Sequence, residues 1–203
     1  METAFRSEET FTQKQFWRWL AGLSPAEQTR HFELLNGRIV LSPPAKCRHA
    51  GIGATLTALL HKHVRASRLG MVFDASMGFD LPTGDTVQPD VAFVTTARLR
   101  ATPPPKKGEK GFLRAVPSLV VEVLSYSTRK QDRTEKAGIY AKSGVDEYWI
   151  VDPDLRTVTV RILRGERYVE GPSVVRGPVR SRVLPKLRLT IDDVFADVDA
   201  VDA

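Results

Sequence analysis

Residues 117–152 read PSLVVEVLSYSTRKQDRTEKAGIYAKSGVDEYWIVD, and this stretch decides the fold. Leu119 to Leu124 is a nearly continuous apolar run, the pattern of a strand covered on both faces. Thr128 to Lys142 has helical spacing, and Tyr148 to Val151 is a second apolar run. Strand, helix and strand together predict a β-α-β unit. The helix ends are marked as well. Thr128 and Gln131 have capping-box spacing, and Gly144 stands where a left-handed residue stops the last turn.

Toward the N-terminus, Phe32 to Leu35 and Arg38 to Leu41 flank Asn36-Gly37, whose tolerance of positive φ makes it a strong hairpin signal. Pro43-Pro44 ends the hairpin. From about Lys46, positions Ile52, Leu56, Leu59, Leu60 and Val64 recur at helical intervals until Leu69-Gly70, which predicts a long amphipathic helix. Phe11 to Leu20 reads as a peripheral helix, and Ser24-Pro25-Ala26-Glu27 as a loop that starts another short one. Met71 to Asp74, Gly78 to Leu81 and Val87 to Thr95 read as three strands of a meander, the last opened by Gln88-Pro89. Thr102 to Gly111, with three consecutive prolines and four charged residues, is expected to be an exposed loop. Beyond residue 152, Thr157 to Leu163 and Arg167 to Glu170 suggest a closing hairpin, and Leu187 to Phe195 a last strand and short helix. The class expected is α/β (α+β): a mixed sheet flanked by helices, with an N-terminal hairpin and a C-terminal β extension.

The chain has 203 residues, enough for one sizeable core, and 42% hydrophobic with 27% charged residues is the balance of a globular protein, not a disordered or fibrous one. Its single cysteine, Cys47, has no internal disulfide partner and no second thiolate for a zinc site, so a cytoplasmic setting is expected. The first residues lack the order of a signal peptide, and no run is long enough to span a membrane. A formal net charge of +6 favours a polyanionic partner. Gly51-Ile52-Gly53 lacks the third glycine of a dinucleotide fingerprint, no Gly-x-Ser-x-Gly occurs, and His61 and His63 belong to a surface helix.

Glu122 is the one charged residue in its apolar strand. Burying an unpaired carboxylate costs several kcal/mol, so it needs a cation, a hydrogen-bond partner or an open strand end, and an arginine partner or an open groove would also account for it. Asp90 opens the strand Val91-Ala92-Phe93-Val94, where turn chemistry is the plainer reading. Two carboxylates on neighbouring strands beside a basic residue suit a hard cation such as magnesium, and such a cation suits phosphate chemistry. Asp132, Lys136 and Tyr140 recur at intervals of four and share a helical face; taken alone, Asp132 and Lys136 read as a solvated salt bridge. His49 lies one turn before Gly53 and Leu56 and could face the same interior, or could simply be a half-buried helix-start histidine. Lys106, Lys107, Lys110 and Arg114 lie between the two acidic residues in sequence, a plausible phosphate-gripping flap. Tyr148 and Trp149 read as core packing.

The ordered series Gln88-Pro89-Asp90, Pro117 to Ser125 with Glu122, then Thr128, Asp132, Lys136, Tyr140, and Gly144 to Asp152 resembles the Uma-type restriction endonuclease family, of the PD-(D/E)XK superfamily. The likeness runs from about Phe32 to Phe195. It implies a restriction-endonuclease-like domain over 31–196, preceded by an N-terminal helical extension (1–30) and followed by a tail (197–203). It also implies Mg2+ or Mn2+ held by Asp90 and Glu122 with the Val123 carbonyl, and hydrolysis of DNA phosphodiesters. The superfamily motif expects lysine two positions after the acid, where this chain has Leu124. The resemblance then points to Lys136 as a lysine migrated to the following helix, with Asp132 holding it or touching the metal's outer sphere; Lys130 and Lys142 are weaker candidates. Glu33 resembles the family's early acidic position. The Leu124 departure keeps open a nuclease-fold module that binds nucleic acid without cutting it, and a purely structural domain is the third class. A homodimer is the assembly that cutting both strands would ask for.

Overall fold

The computed structural model describes residues 5–103 and 112–202. The chain runs β1 (Phe5–Arg6), α1 (Gln13–Ala21), α2 (Pro25–Gln28), β2 (Phe32–Leu35), β3 (Arg38–Leu41), α3 (Cys47–Ser67), β4 (Gly70–Asp74), β5 (Phe79–Asp80), β6 (Thr86–Val87), β7 (Val91–Thr95), α4 (Thr96–Ala101) and β8 (Leu119–Val123). A continuous helix follows, made of α5 (Arg129–Gln131), a π-helical stretch (Asp132–Lys136) and α6 (Ala137–Ser143). After it come β9 (Glu147–Asp152), β10 (Thr157–Arg164), β11 (Arg167–Val174) and α7 (Ile191–Asp202).

The strands form a small sheet, β1-β3-β2-β6-β5, and a larger one, β11-β10-β9-β8-β7-β4. In the larger sheet β8 and β9 are parallel and the other pairs antiparallel, as a β-α-β unit inside a mixed sheet requires. Asn36 and Gly37 close the β2–β3 hairpin at φ 49° and 76°, and Gly144 stops α6 at φ 82°. Three expectations need correction. Val87 to Thr95 is not one strand of a meander: Pro89 interrupts it, and β6 and β7 go to different sheets. The Thr128–Gln131 capping box does not form: the Thr128 amide is taken by Ser125 Oγ at 3.2 Å, and its hydroxyl pairs with the same oxygen at 2.9 Å. The expected last strand reduces to one bridge between Pro178 and Thr190, and the helix after it is longer than expected.

Strand alternation sorts the core into two faces. Val91, Phe93, Leu119, Val121, Val123, Trp149 and Val151 pack with Ile52, Leu56, Leu60 and Val64 of α3 and with Val194, Phe195 and Val198 of α7. Ala92, Val94, Val120, Leu124, Tyr148 and Ile150 pack on the other side with Ala137, Ile139 and Tyr140 of α6. Each fully buried large side chain contributes roughly 1.5–3 kcal/mol, so both faces of this sheet are strongly specified. Glu122 has the even parity of Val120 and Leu124, so it projects toward the helix. The register Val91↔Val121, extended by one residue, sets Asp90 beside Glu122 where β7 begins and β8 ends. That shared edge of the sheet is where the carboxylates meet.

Candidate active site

Glu122 is 3% exposed, and two donors share its Oε1: Lys136 Nζ at 2.9 Å and the Tyr140 hydroxyl at 2.6 Å. Lys136 also lies 3.0 Å from Glu33 Oε1 and 3.8 Å from Asp132 Oδ1. The helix from Arg129 to Ser143 supplies these partners, and the π-helical stretch inside it contains both Asp132 and Lys136. Such wide turns recur at functional sites because they redirect side chains that a regular helix would space differently. Tyr148, on β9, donates to the Asp132 carbonyl at 2.9 Å, tying the turn to the sheet.

Asp90 is held from another direction. The Val123 amide donates to its Oδ2 at 2.7 Å, and His49 Nε2 lies 3.3 Å from the same oxygen. His49 reaches this point because it sits three residues before Ile52 and seven before Leu56, on the inward stripe of α3. Glu33, from β2 of the smaller sheet, accepts the Gln88 amide at 2.9 Å, pinning the Gln88-Pro89-Asp90 turn.

Four buried or nearly buried carboxylates, Glu33, Asp90, Glu122 and Asp132, therefore face one ammonium and one imidazole. Burial drives the Glu122 carboxyl well above the usual range; Lys136 opposes this, and the charges of Asp132, Asp90 and Glu33 add to it. Burial likewise pushes Asp132 up to about 6, against the pull of Lys136 and the Thr128 hydroxyl. Burial disfavours the Lys136 ammonium, but Glu122, Glu33 and Asp132 outweigh it and hold its pKa well above the ordinary value. For Asp90, burial is overcome by the hydrogen bond and charge of His49 and by the Val123 amide, so its pKa falls. The His49 pKa rises for the reciprocal reason, its desolvation being exceeded by Asp90 and the Val123 carbonyl.

Among the described residues, no group of three or more His, Cys, Asp or Glu side chains is already set up to hold a metal ion. The chemistry of the donor set is still that of a hard-cation site: Asp90 and Glu122 stand side by side at adjacent strand ends, the Val123 amide bonds to Asp90, and carboxylates outnumber the cations around them.

The structure thus brings together Asp90, Glu122, Val123, Glu33, Asp132 and Lys136. Leu124 is 2% exposed inside the apolar cluster. Lys130 and Lys142 are exposed on the helix and Arg114 is exposed, while Lys106, Lys107 and Lys110 lie outside the described residues. Sequence reasoning missed the Gln88 amide and the bond of Tyr148 to the Asp132 carbonyl, neither of which has a periodic signal.

The family model described as Uma2, "Putative restriction endonuclease", matches residues 14–192. No curated protein matches. Among solved structures, "a putative nuclease belonging to DUF820" from Anabaena variabilis ATCC 29413 is similar at 20% identity, over 92% of this chain and 98% of that one, with a TM-score of 0.72. At that identity the likeness speaks to fold, and it agrees with the restriction-endonuclease-like α+β architecture expected from the sequence. No helix among the described residues is long and apolar enough to cross a membrane.

Proposed function

The chain belongs to the Uma2 family, and from that premise we propose that it is an endonuclease hydrolysing DNA phosphodiester bonds with the help of Mg2+ or Mn2+. The observation that carries this reading is Lys136 Nζ at 2.9 Å from Glu122, beside Glu33 and Asp132: the ammonium that Leu124 cannot supply reaches the acid from the helix. Asp90, Glu122 and the Val123 carbonyl would hold the metal. When bound, it would activate water and offset charge on the phosphoryl group.

The chain's own residues define the remaining work. Lys136, held protonated by three carboxylates, acts as a donor and a positive charge, orienting the attacking water and stabilising charge on the phosphate oxygens. It is not a resting-state base. Asp132 fixes the ammonium and, titrating near neutrality, is the carboxylate best matched to accepting a proton there. Tyr140 and the Val123 amide hold Glu122 and Asp90 in place, and Glu33 secures the turn that carries Asp90. Lys106, Lys107, Lys110 and Arg114 are the candidate phosphate contacts.

The test is divalent-cation titration by calorimetry together with plasmid nicking, comparing the wild-type chain with Asp90→Ala and Glu122→Gln. Binding and nicking should vanish together in both variants while circular dichroism stays native. A wild-type chain that binds metal but cuts neither DNA nor RNA supports the non-cutting binding module that Leu124 leaves open.

A further inference from the structure

Tyr126 is 84% exposed, the most open large hydrophobic side chain among the described residues. It stands on the loop between β8 and the helix that carries Asp132 and Lys136, three residues after Val123. A singly exposed apolar residue is ordinary on a protein surface, but this one is presented by a loop bonded on both sides of it. The Leu124 amide donates to the Val151 carbonyl at 2.8 Å, and the Arg129 amide to the Ser125 carbonyl at 3.0 Å. Ser125 Oγ pairs with the hydroxyls of Ser127 at 3.1 Å and Thr128 at 2.9 Å. The ring is thus held out in water by a turn that is already ordered, so little freedom is left to lose when a flat partner stacks on it.

Guanidinium groups follow it on the same helix. Asp152, 1% exposed at the end of β9, accepts from both Nη atoms of Arg129 and, at 3.3 Å, from Nη2 of Arg133. Both arginines stay part-exposed, and Arg129 also reaches Asp154 at 2.7 Å. With Lys130 exposed between them in sequence, three cations stand against two carboxylates, so this rim keeps a positive charge. We propose that Tyr126, Arg129 and Arg133 form a strand-binding rim: the ring stacks on an unpaired nucleobase of the substrate, and the guanidinium groups hold the phosphates beside it. The assignment rests on reading the chain as a nuclease and names the form of strand it takes. An aromatic face accepts any base, and guanidinium forks fit phosphate oxygens. Three residues of chain span at most about 11 Å, and a strand carries a phosphate roughly every 3.4 Å, so the stacked base lies a few nucleotides from the phosphate being cut.

The test reads binding without turnover. Fluorescence anisotropy is recorded on the full chain with a labelled oligothymidylate and with a blunt duplex of the same length, in Ca2+, the probe being checked intact on a gel. Tyr126→Ala should bind the single strand about fivefold to a hundredfold more weakly than the wild type, with the duplex little changed. Tyr126→Phe, which keeps the ring, should stay within about twofold of the wild type on both. Because the ring is open to water, the Tm of Tyr126→Ala should not move. Arg133→Gln, which leaves Arg129 on the buried Asp152, should flatten the plot of log K against log salt by about 0.7 on the single strand. A loss under about twofold in Tyr126→Ala, equal losses on strand and duplex, or a Tyr126→Phe variant as weak as Tyr126→Ala overturns the stacking assignment, and an unchanged salt slope in Arg133→Gln overturns the phosphate one. In each of these cases nicking by the wild type leaves the endonuclease reading standing. A wild-type chain that binds neither probe and nicks nothing overturns both.

Discussion

Lys136 is the positive charge placed among three carboxylates, so its removal tests the electrostatics of the site directly. In Lys136→Met the methylene stem keeps most of its packing, but Glu122, Glu33 and Asp132 lose an ammonium at 2.9, 3.0 and 3.8 Å. Lys136 is 5% exposed, so solvent screens little of this interaction. Removing one partner of a buried ion pair costs about 3–5 kcal/mol, because the remaining charge is left uncompensated. For a chain of this size each kcal/mol shifts Tm by about 2–4 °C, so the metal-free variant should melt roughly 6–20 °C below the wild type.

The deficit should depend on pH with a definite sign. Without the ammonium, the folded-state pKa values of Glu122 and Asp132 rise further above their unfolded values. A carboxyl shifted upward favours folding at acid pH and loses that contribution as pH rises through its folded pKa. The gap between variant and wild type should therefore be wide near pH ~8 and narrow toward pH ~5, read by differential scanning calorimetry. Adding Glu122→Gln to Lys136→Met removes one of the stranded negative charges and should recover part of the loss. A Lys136→Met variant that melts within about 2 °C of the wild type across this range would refute the reasoning, since the ammonium would not be balancing the cluster.

Asp132→Asn should stabilise the chain above neutral pH. Asp132 titrates at about 6 in the fold against 3.8 for an ordinary aspartate, so the gain should grow between these values and level off above them, reaching on the order of 3 kcal/mol, less what Lys136 loses as a partner. Nicking by this variant should fall at the same time. Tyr140→Phe removes the 2.6 Å bond to Glu122 Oε1 and should cost about 1.5–3 kcal/mol in thermal unfolding, with lower nicking and little change in DNA affinity. Charge reversal of Lys106, Lys107 and Lys110 should weaken DNA binding across sequences and flatten the plot of log K against log salt, by roughly one unit of slope for each phosphate no longer neutralised. An unchanged slope would remove that loop from the interface.

Much of this fold was legible because its strong elements have simple periods. The apolar run Leu119 to Leu124, which holds the strand Leu119–Val123, the helix stop at Gly144 and the hairpin at Asn36-Gly37 all lie where spacing and turn chemistry put them. The split between β6 and β7 was harder to see, since Pro89 can open a strand or break one, and only tertiary pairing decides which. At the site, Glu122 was visible as a charge out of place, and Asp132, Lys136 and Tyr140 as a face. The placement of Glu33 was not, because it arrives from a different sheet through a bond to the backbone of Gln88. Long-range bonds between a side chain and a main-chain amide have no signature along the chain.

The position of the lysine follows from the same strand geometry that made the strand readable. Two residues after an acid, a side chain returns to the same face of the strand, so position 124 faces the same way as Glu122. In this fold that position lies under α6 among Ala137, Ile139 and Tyr140, and it is closed to water. An ammonium placed there would have to be desolvated by apolar neighbours. Leucine fills the volume instead, and the positive charge reaches Glu122 from the helix above, where the π-helical stretch sets Lys136 among three carboxylates that keep it protonated. On the proposed reading, Leu124 and the turn at 132–136 are thus two parts of one solution: the strand keeps its packing, and the helix supplies the charge.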